Sequence, residues 1–279
     1  MKFNAGLLAI LALVAFSCAP SSKELKTESF QYEDSTSYSY LKMYVELPVA
    51  KTEAEKSIRE ALLGVMDSQL AFICSYEGER RFPAFEGEAD NAAVVAYYKE
   101  NALSQLGKLS DEDAAERAKY FDGDFPGWGY EFSLRKLADT LGYVVFDNTD
   151  YVYSGGAHGG IIGRGSMTFD KKSGAQLLDF FKEGSTAAMQ PILTKGLLSY
   201  FSEYDEGMDE ENLKEHLMLW DSNEIPLPAW APSPSADGLA FTYQQYEIAS
   251  YADGMPNFTV AYEDLLPFLT DEAKALLIQ

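Results

Sequence analysis

The chain has 279 residues and a hydrophobic fraction of 47%, which is enough to bury the core of a globular protein. Its 44 acidic and 22 basic residues give a net charge of −22, which excludes nucleic acid as a partner and favours cationic ligands. The 18 tyrosines suit either a binding surface or the faces of a β-sheet.

The N-terminus predicts export and lipid anchoring. One lysine precedes an apolar run, residues 5–16, that is too short to span a bilayer, so residues 1–17 are predicted to be a cleaved signal peptide. Ser17 followed by Cys18 is typical of a bacterial lipoprotein signal, and acyl chains on Cys18 would anchor the chain to a membrane. The alternative is an ordinary secreted protein cleaved nearby. Residues 18–37 are polar and predict a flexible tether.

A strand and helices are predicted for residues 38–128. The strand "SYLKMYVELPV" is followed by residues 51–73, which place apolar side chains on one face of an amphipathic helix. A second helix is predicted to end near Gly107. A third, short helix is predicted to begin at Ser110, with Asp113 three residues later completing a capping pattern.

Residues 129–279 predict an antiparallel sheet interrupted by helices. Tyr130, Phe132 and Leu134 alternate with polar residues, which is the period of a half-buried strand, and helices are predicted over 186–203 and 209–219. Because strands and helices are segregated, we expect an α+β fold, an N-terminal strand-and-helix region followed by an antiparallel sheet with a helical insertion. The expected units are a signal peptide at 1–17, a tether at 18–37, an N-terminal subdomain at 38–128 and a C-terminal α+β domain at 129–279.

Motifs for catalysis are incomplete in this sequence. His158 and His216 lack metal-ligand spacing and HExxH is absent, so neither a metal nor a cofactor is expected. The segment "AHGGI" is similar to an esterase oxyanion loop, but no G-x-S-x-G elbow accompanies it, and its glycines predict a tight turn. Cys74 lies in an apolar stretch and is expected to be buried and unreactive. The sequence leaves open whether two carboxylates are paired for glycoside hydrolysis, because it does not show their separation in space.

Two separated stretches resemble a known family. The first is "YVYSGGAHGGIIGRGSMTFDKKSGAQLLDFF", and the second is "GLAFTYQQYEIASYADGMPNFTVAYEDLLPFL". Together they resemble the RsiV-like extracellular domain, which is shared by a lysozyme-sensing anti-sigma factor and certain peptidoglycan deacetylases. The specific likeness covers about residues 130–182 and 236–268. One departure is Gln245, where relatives commonly have proline.

The resemblance implies an α+β domain that faces the cell envelope, binds lysozyme directly and carries no catalysis itself. The resemblance implies neither the sigma-binding nor the deacetylase activity for this chain. Tyr246 and Tyr251 are the expected aromatic anchors, with core packing as the alternative for both. The resemblance maps ligand binding onto two loops, whose candidate residues are Ser154, Gly155, Gly156, Ala157, His158, Gln245, Tyr246, Tyr251, Asp253 and Gly254.

We therefore expect a non-catalytic lipoprotein of the bacterial envelope, periplasmic or surface-exposed. Its expected partner is a lysozyme-type muramidase, another cationic envelope protein or a peptidoglycan fragment. The alternatives are an envelope enzyme that acts on peptidoglycan and a structural protein of the envelope. An enzyme would lose turnover on substitution of His158 or of a catalytic carboxylate.

Overall fold

The structure is a computed structural model, and it describes residues 24–36, 38–75, 78–119, 127–154, 160–219 and 224–278. The predicted signal peptide and Cys18 lie outside these residues. Within them, no helix is both long enough and apolar enough to cross a lipid bilayer.

The described chain folds into strands and helices that are largely segregated along the sequence. The strands are β1 Thr27–Ser35, β2 Ser39–Pro48, β3 Trp128–Asp139, β4 Tyr143–Tyr153, β5 Ile161–Asp170, β6 Gln176–Leu177, β7 Ser233–Ser235, β8 Gly238–Thr242 and β9 Asn257–Val260. The helices are α1 Glu53–Leu70, α2 Asn91–Arg117, α3 Thr186–Phe201, α4 Glu210–His216, α5 Tyr262–Leu265 and α6 Asp271–Leu277. This arrangement confirms the α+β class expected from the sequence.

The described strands form two sheets. The larger sheet has the order β1-β2-β3-β4-β5-β6, and the smaller sheet has the order β7-β8-β9. Neighbouring strands are antiparallel except β2 and β3, which are parallel. A parallel pair needs a long crossover connection, and α1 and α2 supply it.

The first hydrophobic core lies between α1, α2 and one face of the larger sheet. Leu41 and Val45 of β2 are fully buried there against Leu62 and Met66 of α1. Helix α1 begins with a capping box in which Thr52 accepts from the Glu55 main chain and the Glu55 side chain accepts from Thr52. Burying each of these aliphatic side chains contributes about 1.5–3 kcal/mol.

The second hydrophobic core lies between α3, the smaller sheet and the opposite face of β4. Successive side chains of a strand point to opposite faces. Val144 and Phe146 therefore enter the first core, whereas Tyr143 and Val145 enter the second and pack in the cluster that contains Leu193 of α3. Strand β4 thus supports both cores.

Strand β1 corrects the predicted tether. Residues 18–37 were expected to be flexible, but Thr27–Ser35 pairs along its length with β2. Phe30 and Tyr32 alternate with polar residues and pack against the first core. The tether prediction is wrong for this strand. Its many acidic and hydroxyl side chains obscure the apolar residues that recur at every second position on one face.

Helix α2 corrects the predicted helix boundaries. It runs through both Gly107 and Ser110, so the expected break and third helix are wrong. A side-chain carbon at Gly107 would lie 3.4 Å from Cγ2 of Thr36, which indicates that the glycine allows close packing rather than termination. Ser110 is fully buried within the helix and caps nothing.

The larger sheet also crosses the predicted boundary between residues 128 and 129. Strand β2 lies before this position and β3 begins at Trp128, yet the two strands pair in register from Ser39 to Val45. The expected division into subdomains stays a prediction.

Asp150 is a half-buried carboxylate on the core-facing side of β4. A side-chain carbon at its neighbour Gly163 would lie 2.5 Å from Oδ1 of Asp150, so the glycine makes room for the carboxyl group. Burial raises the pKa of Asp150 from 3.8 to about 6, since the ionised form is poorly solvated there.

The raised pKa of Asp150 predicts how stability depends on pH. The folded state binds this proton more tightly than the unfolded state, so the contribution of Asp150 to stability falls as pH rises from about 4 through about 6. We expect Asp150→Asn to raise the free energy of unfolding by about 2–3 kcal/mol at neutral pH and by much less near pH 4. Urea denaturation at the two pH values measures this difference.

Asp67→Asn is the matched control for this experiment. Hydrogen bonds from Arg80 and Tyr98 lower the pKa of Asp67 against the opposing effect of burial. Its substitution should therefore destabilise the fold at neutral pH. An Asp150→Asn protein that is less stable than the parent at neutral pH would contradict the buried-charge interpretation.

Candidate ligand-binding surface

Residues 244–254, called here the tyrosine loop, are held together by internal hydrogen bonds. The Gln244 amide donates to the Glu247 carboxylate at 2.7 Å, and the Glu247 amide donates to the Gln244 carbonyl at 3.1 Å. The amide and hydroxyl of Ser250 donate to Oδ2 of Asp253 at 2.9 and 2.6 Å. Gly254 ends the short 3₁₀ turn with a φ of 73°, which glycine adopts without strain. The loop therefore has a defined shape.

The free edge of β5 fixes where this loop lies. Strand β6 pairs only with Thr168 and Phe169, so the earlier main-chain groups of β5 need other partners. The Gln244 side chain supplies two, because it accepts from the Arg164 amide at 2.8 Å and donates to the Arg164 carbonyl at 2.9 Å. The side chain of Gln245 accepts from the Ile162 amide at 2.9 Å.

Tyr251 continues this contact to the residue before β5. Its hydroxyl donates to the carbonyl of Gly160 at 2.8 Å. The loop therefore follows the β5 edge through three consecutive outward main-chain positions, Gly160, Ile162 and Arg164. Residues 245–254 and the end of the β4–β5 connection come together as one surface.

Tyr246 is the exposed aromatic residue of the tyrosine loop. Its side chain is 47% exposed, and its ring centroid lies 5.9 Å from that of Tyr251. Its φ of 65° is in the left-handed region, which is unfavourable for a bulky side chain. Strain of this kind persists where the surroundings impose it, and here the bonds of Gln245 and Glu247 impose it.

Asp253 links the loop to α3 and α4. Oδ1 of Asp253 lies 2.9 Å from Nε2 of His216, and the Asp253 carbonyl accepts from the Tyr200 hydroxyl at 2.7 Å. Burial raises the pKa of Asp253, but hydrogen bonds from Ser250 and His216 outweigh it, so the pKa is lowered overall. The carboxylate therefore stays ionised at neutral pH and braces the loop.

This constellation lacks the order of a catalytic triad. Asp253 lies between Ser250 and His216, whereas activation of a serine needs the imidazole between the serine and the carboxylate. Burial raises the pKa of the Cys74 thiol to about 12, so this thiol stays protonated at neutral pH. Among the described residues, no group of three or more His, Cys, Asp or Glu is placed to hold a metal ion.

A row of tyrosines extends from the loop across the open face of the larger sheet. Tyr151 of β4 packs over Gly160, where a side-chain carbon would lie 2.0 Å from its ring. Tyr40 of β2 packs over Gly129 in the same way, at 2.2 Å. Both glycines let an aromatic ring lie across the strand beside it. Burial, Glu131 and Tyr151 raise the pKa of the Tyr40 phenol, consistent with the proximity of the two rings.

Charged side chains surround this row. The guanidinium of Arg135 lies 4.5 Å from the ring centroid of Tyr44, and Lys42 forms a 2.9 Å ion pair with Glu131. Lys42, Tyr44, Glu131, Arg135 and Tyr151 contribute to a shallow depression of about 250 Å³. We call Tyr40, Tyr44, Tyr151, Tyr246 and Tyr251 the tyrosine surface.

The structure places only some of the candidate site residues. Gly155, Gly156, Ala157, His158 and the lipidation candidate Cys18 lie outside the described residues. Ser154 is half-buried just beyond β4. Gln245, Tyr251 and Asp253 have hydrogen-bonding roles within the fold, which leaves Tyr246 as the exposed anchor. Sequence reasoning missed Tyr40 and Tyr151. Each lies on the polar face of a strand whose apolar and polar residues alternate, and that position could have identified it.

Comparisons with known proteins agree with the sequence resemblance at the level of the domain. Residues 178–263 match the model of a family described as "Protein of unknown function (DUF3298)", and domains of this family are found in RsiV-like proteins. The matched segment includes α3, α4, the smaller sheet and the whole tyrosine loop. No curated protein matches the chain.

Solved structures of two DUF3298 proteins share the fold. A member of the family from Bacteroides fragilis NCTC 9343 is 19% identical with a TM-score of 0.67, and the alignment covers 90% of this chain and 96% of that one. A DUF3298 family protein from Pseudomonas aeruginosa PAO1 is 14% identical with a TM-score of 0.59, and the alignment covers 90% and 97% of the two chains. The likeness extends well beyond residues 178–263, so the first core belongs to the shared fold too.

The role of Gln244 in covering the β5 edge can be tested by hydrogen exchange. Gln244→Ala leaves both main-chain groups of Arg164 without their side-chain partner. We expect local protection of the Arg164 amide to fall by about 1–2 kcal/mol, because each lost bond contributes about 1 kcal/mol. Gln31→Ala, at an exposed position of β1, is the control and should leave that amide unchanged. Unchanged exchange in Gln244→Ala would show that the edge is protected otherwise.

Proposed function

We propose that this chain is a non-catalytic ligand-binding protein of the bacterial envelope, and that its tyrosine surface binds a cationic protein. The observation that carries this proposal is the conformation of Tyr246. An exposed aromatic side chain in a strained backbone conformation is held on a loop that is bonded to another strand. The fixed loop therefore presents this aromatic side chain to solvent in one defined position.

The geometry supports recognition by a pre-formed surface. Tyrosine is enriched among the residues that dominate binding energy, and it loses little conformational entropy on binding. Because hydrogen bonds from Gln244, Gln245 and Tyr251 already order the loop, complex formation does not have to order it. The surrounding ion pairs suit the polar rim of an interface.

Charge supports a cationic ligand. The net charge of −22 attracts positively charged proteins and accelerates their encounter, while exposed charge pairs add little affinity. Lysozyme-type muramidases are the ligand implied by the resemblance to RsiV-like domains. The family match at residues 178–263 contains the tyrosine loop and is consistent with this assignment.

Tyr246→Ala tests the surface and the ligand together. The binding of lysozymes of several classes is measured by calorimetry. We expect the parent protein to bind at least one of them, and the variant to bind it at least tenfold more weakly, a loss of about 1.4 kcal/mol. Leu141→Ala is the matched control. Leu141 is 64% exposed and lies just before β4, at the end of the strand away from Tyr151. Binding by the parent should also weaken as salt is raised.

The outcomes separate the two parts of the proposal. Absence of heat with every lysozyme would remove lysozyme as the ligand. Equal affinity of Tyr246→Ala and parent would remove the tyrosine surface as the site. Turnover of peptidoglycan fragments by the purified protein would overturn the non-catalytic assignment.

Membrane attachment through Cys18 has its own test. Cys18→Ser removes the acylated thiol, so metabolic labelling with palmitate should be lost and the protein should leave the membrane fraction. Ser17→Ala, next to the modified residue, should keep both. Labelling that persists in Cys18→Ser would contradict the lipoprotein assignment.

A further inference from the structure

A cleft of about 440 Å³ lies between the larger and the smaller sheet, on the face of β4 and β5 that the smaller sheet partly covers. Strands β3, β4 and β5 form one wall, and β7, β8 and β9 form the other. Its volume is within the range of small-ligand sites. The tyrosine surface does not include its lining side chains.

One side of this intersheet cleft is polar. Arg164 and Asp147 project from neighbouring strands, and Nε of Arg164 lies 3.4 Å from Oδ1 of Asp147. The Arg164 side chain is 50% exposed, whereas the Asp147 side chain is 17% exposed. Burial raises the pKa of Asp147 against the opposing effect of Arg164. A pair this long leaves both donors and acceptors available to a third group.

Two buried hydroxyl groups in the cleft walls have no partner. Ser166 is 9% exposed and lies opposite Asp147 in the sheet, and Ser233 lies on β7 across the cleft. Within the described residues, neither Oγ atom makes a hydrogen bond. Both Oγ atoms are buried, so rotation of either side chain toward the cleft would let a ligand satisfy its hydroxyl group.

The other side of the cleft is aromatic. Trp230 lines the cleft and stays 44% exposed. A side-chain carbon at Gly165 would lie 2.9 Å from Cε3 of Trp230, so the glycine lets the indole pack against the edge of β5. Phe258 adds apolar surface from β9.

These features together select one class of ligand. An anion would meet Asp147 in a strongly acidic protein, and a cation would meet Arg164. A purely apolar ligand would leave the two serine hydroxyls and the ion pair unsatisfied. A neutral ligand fits these groups best when it has an apolar face for Trp230 and hydroxyl groups that both donate and accept.

We propose that the intersheet cleft is a glycan-binding subsite that takes a neutral pyranose ring, stacked on Trp230 and hydrogen-bonded by Asp147 and Arg164. Adjacent sugar hydroxyls match Asp147 as the acceptor and Arg164 as the donor. Other sugar hydroxyls contact Ser166 and Ser233 after rotation of the serine side chains. The site is separate from the tyrosine surface and does not depend on a protein ligand.

Calorimetry and tryptophan fluorescence with N-acetylglucosamine, glucose and mannose trisaccharides test this subsite. We expect at least one trisaccharide to bind saturably at millimolar concentration and to change the fluorescence. Trp230→Ala should weaken binding by about tenfold or more. Trp128→Phe, at a tryptophan outside the cleft, should keep both the binding and the fluorescence change.

A second variant keeps the test decisive if Trp230→Ala disturbs the fold. Asp147→Asn preserves the shape of the side chain and removes its charge, and we expect binding to weaken by about tenfold. Asp150→Asn, on the other face of the same strand, is the matched control and should bind as the parent does. Failure of every trisaccharide to bind the parent, or unchanged binding in both cleft variants, would overturn the proposal.

Discussion

The unpaired edge of β5 is the constraint on which the functional surface depends. Main-chain groups at a sheet edge must be satisfied, and β6 is too short to satisfy those of Gly160, Ile162 and Arg164. Side chains of the tyrosine loop do so instead. Because side-chain bonds follow the pleat of a strand, the loop has a fixed register along β5, and Tyr246 is fixed with it.

The sharing of β4 between two cores explains why the open face is aromatic. Tyr143 and Val145 point to the second core, but the smaller sheet ends before it reaches Tyr151 on the same face. A strand face without a covering layer still needs side chains of high β-propensity, and tyrosine offers this together with a wettable hydroxyl. The same choice therefore serves both folding and recognition.

Sequence patterns predicted the local structure better than the site. Alternation in β3 is strong enough to place that strand, whereas the charged side chains of β1 mask the alternation there. The parallel pairing of β2 with β3 depends on contacts across a long helical connection, which no local pattern encodes. Gln245 and Asp253 were chosen as binding residues, but their hydrogen-bond partners, Ile162 and His216, are distant in sequence. Only the fold shows that these polar groups are already satisfied.

Arg164 of β5 contributes to both proposed sites. Its main chain is bonded by Gln244 of the tyrosine loop, while its guanidinium lines the intersheet cleft beside Asp147. A ligand that orders the guanidinium therefore acts on the strand that holds the loop. If occupancy of the cleft changes affinity at Tyr246, thermodynamic linkage requires an equal effect in the other direction. Strand β5 is a physical route for such coupling, because Arg164 contacts one site through its main chain and the other through its side chain.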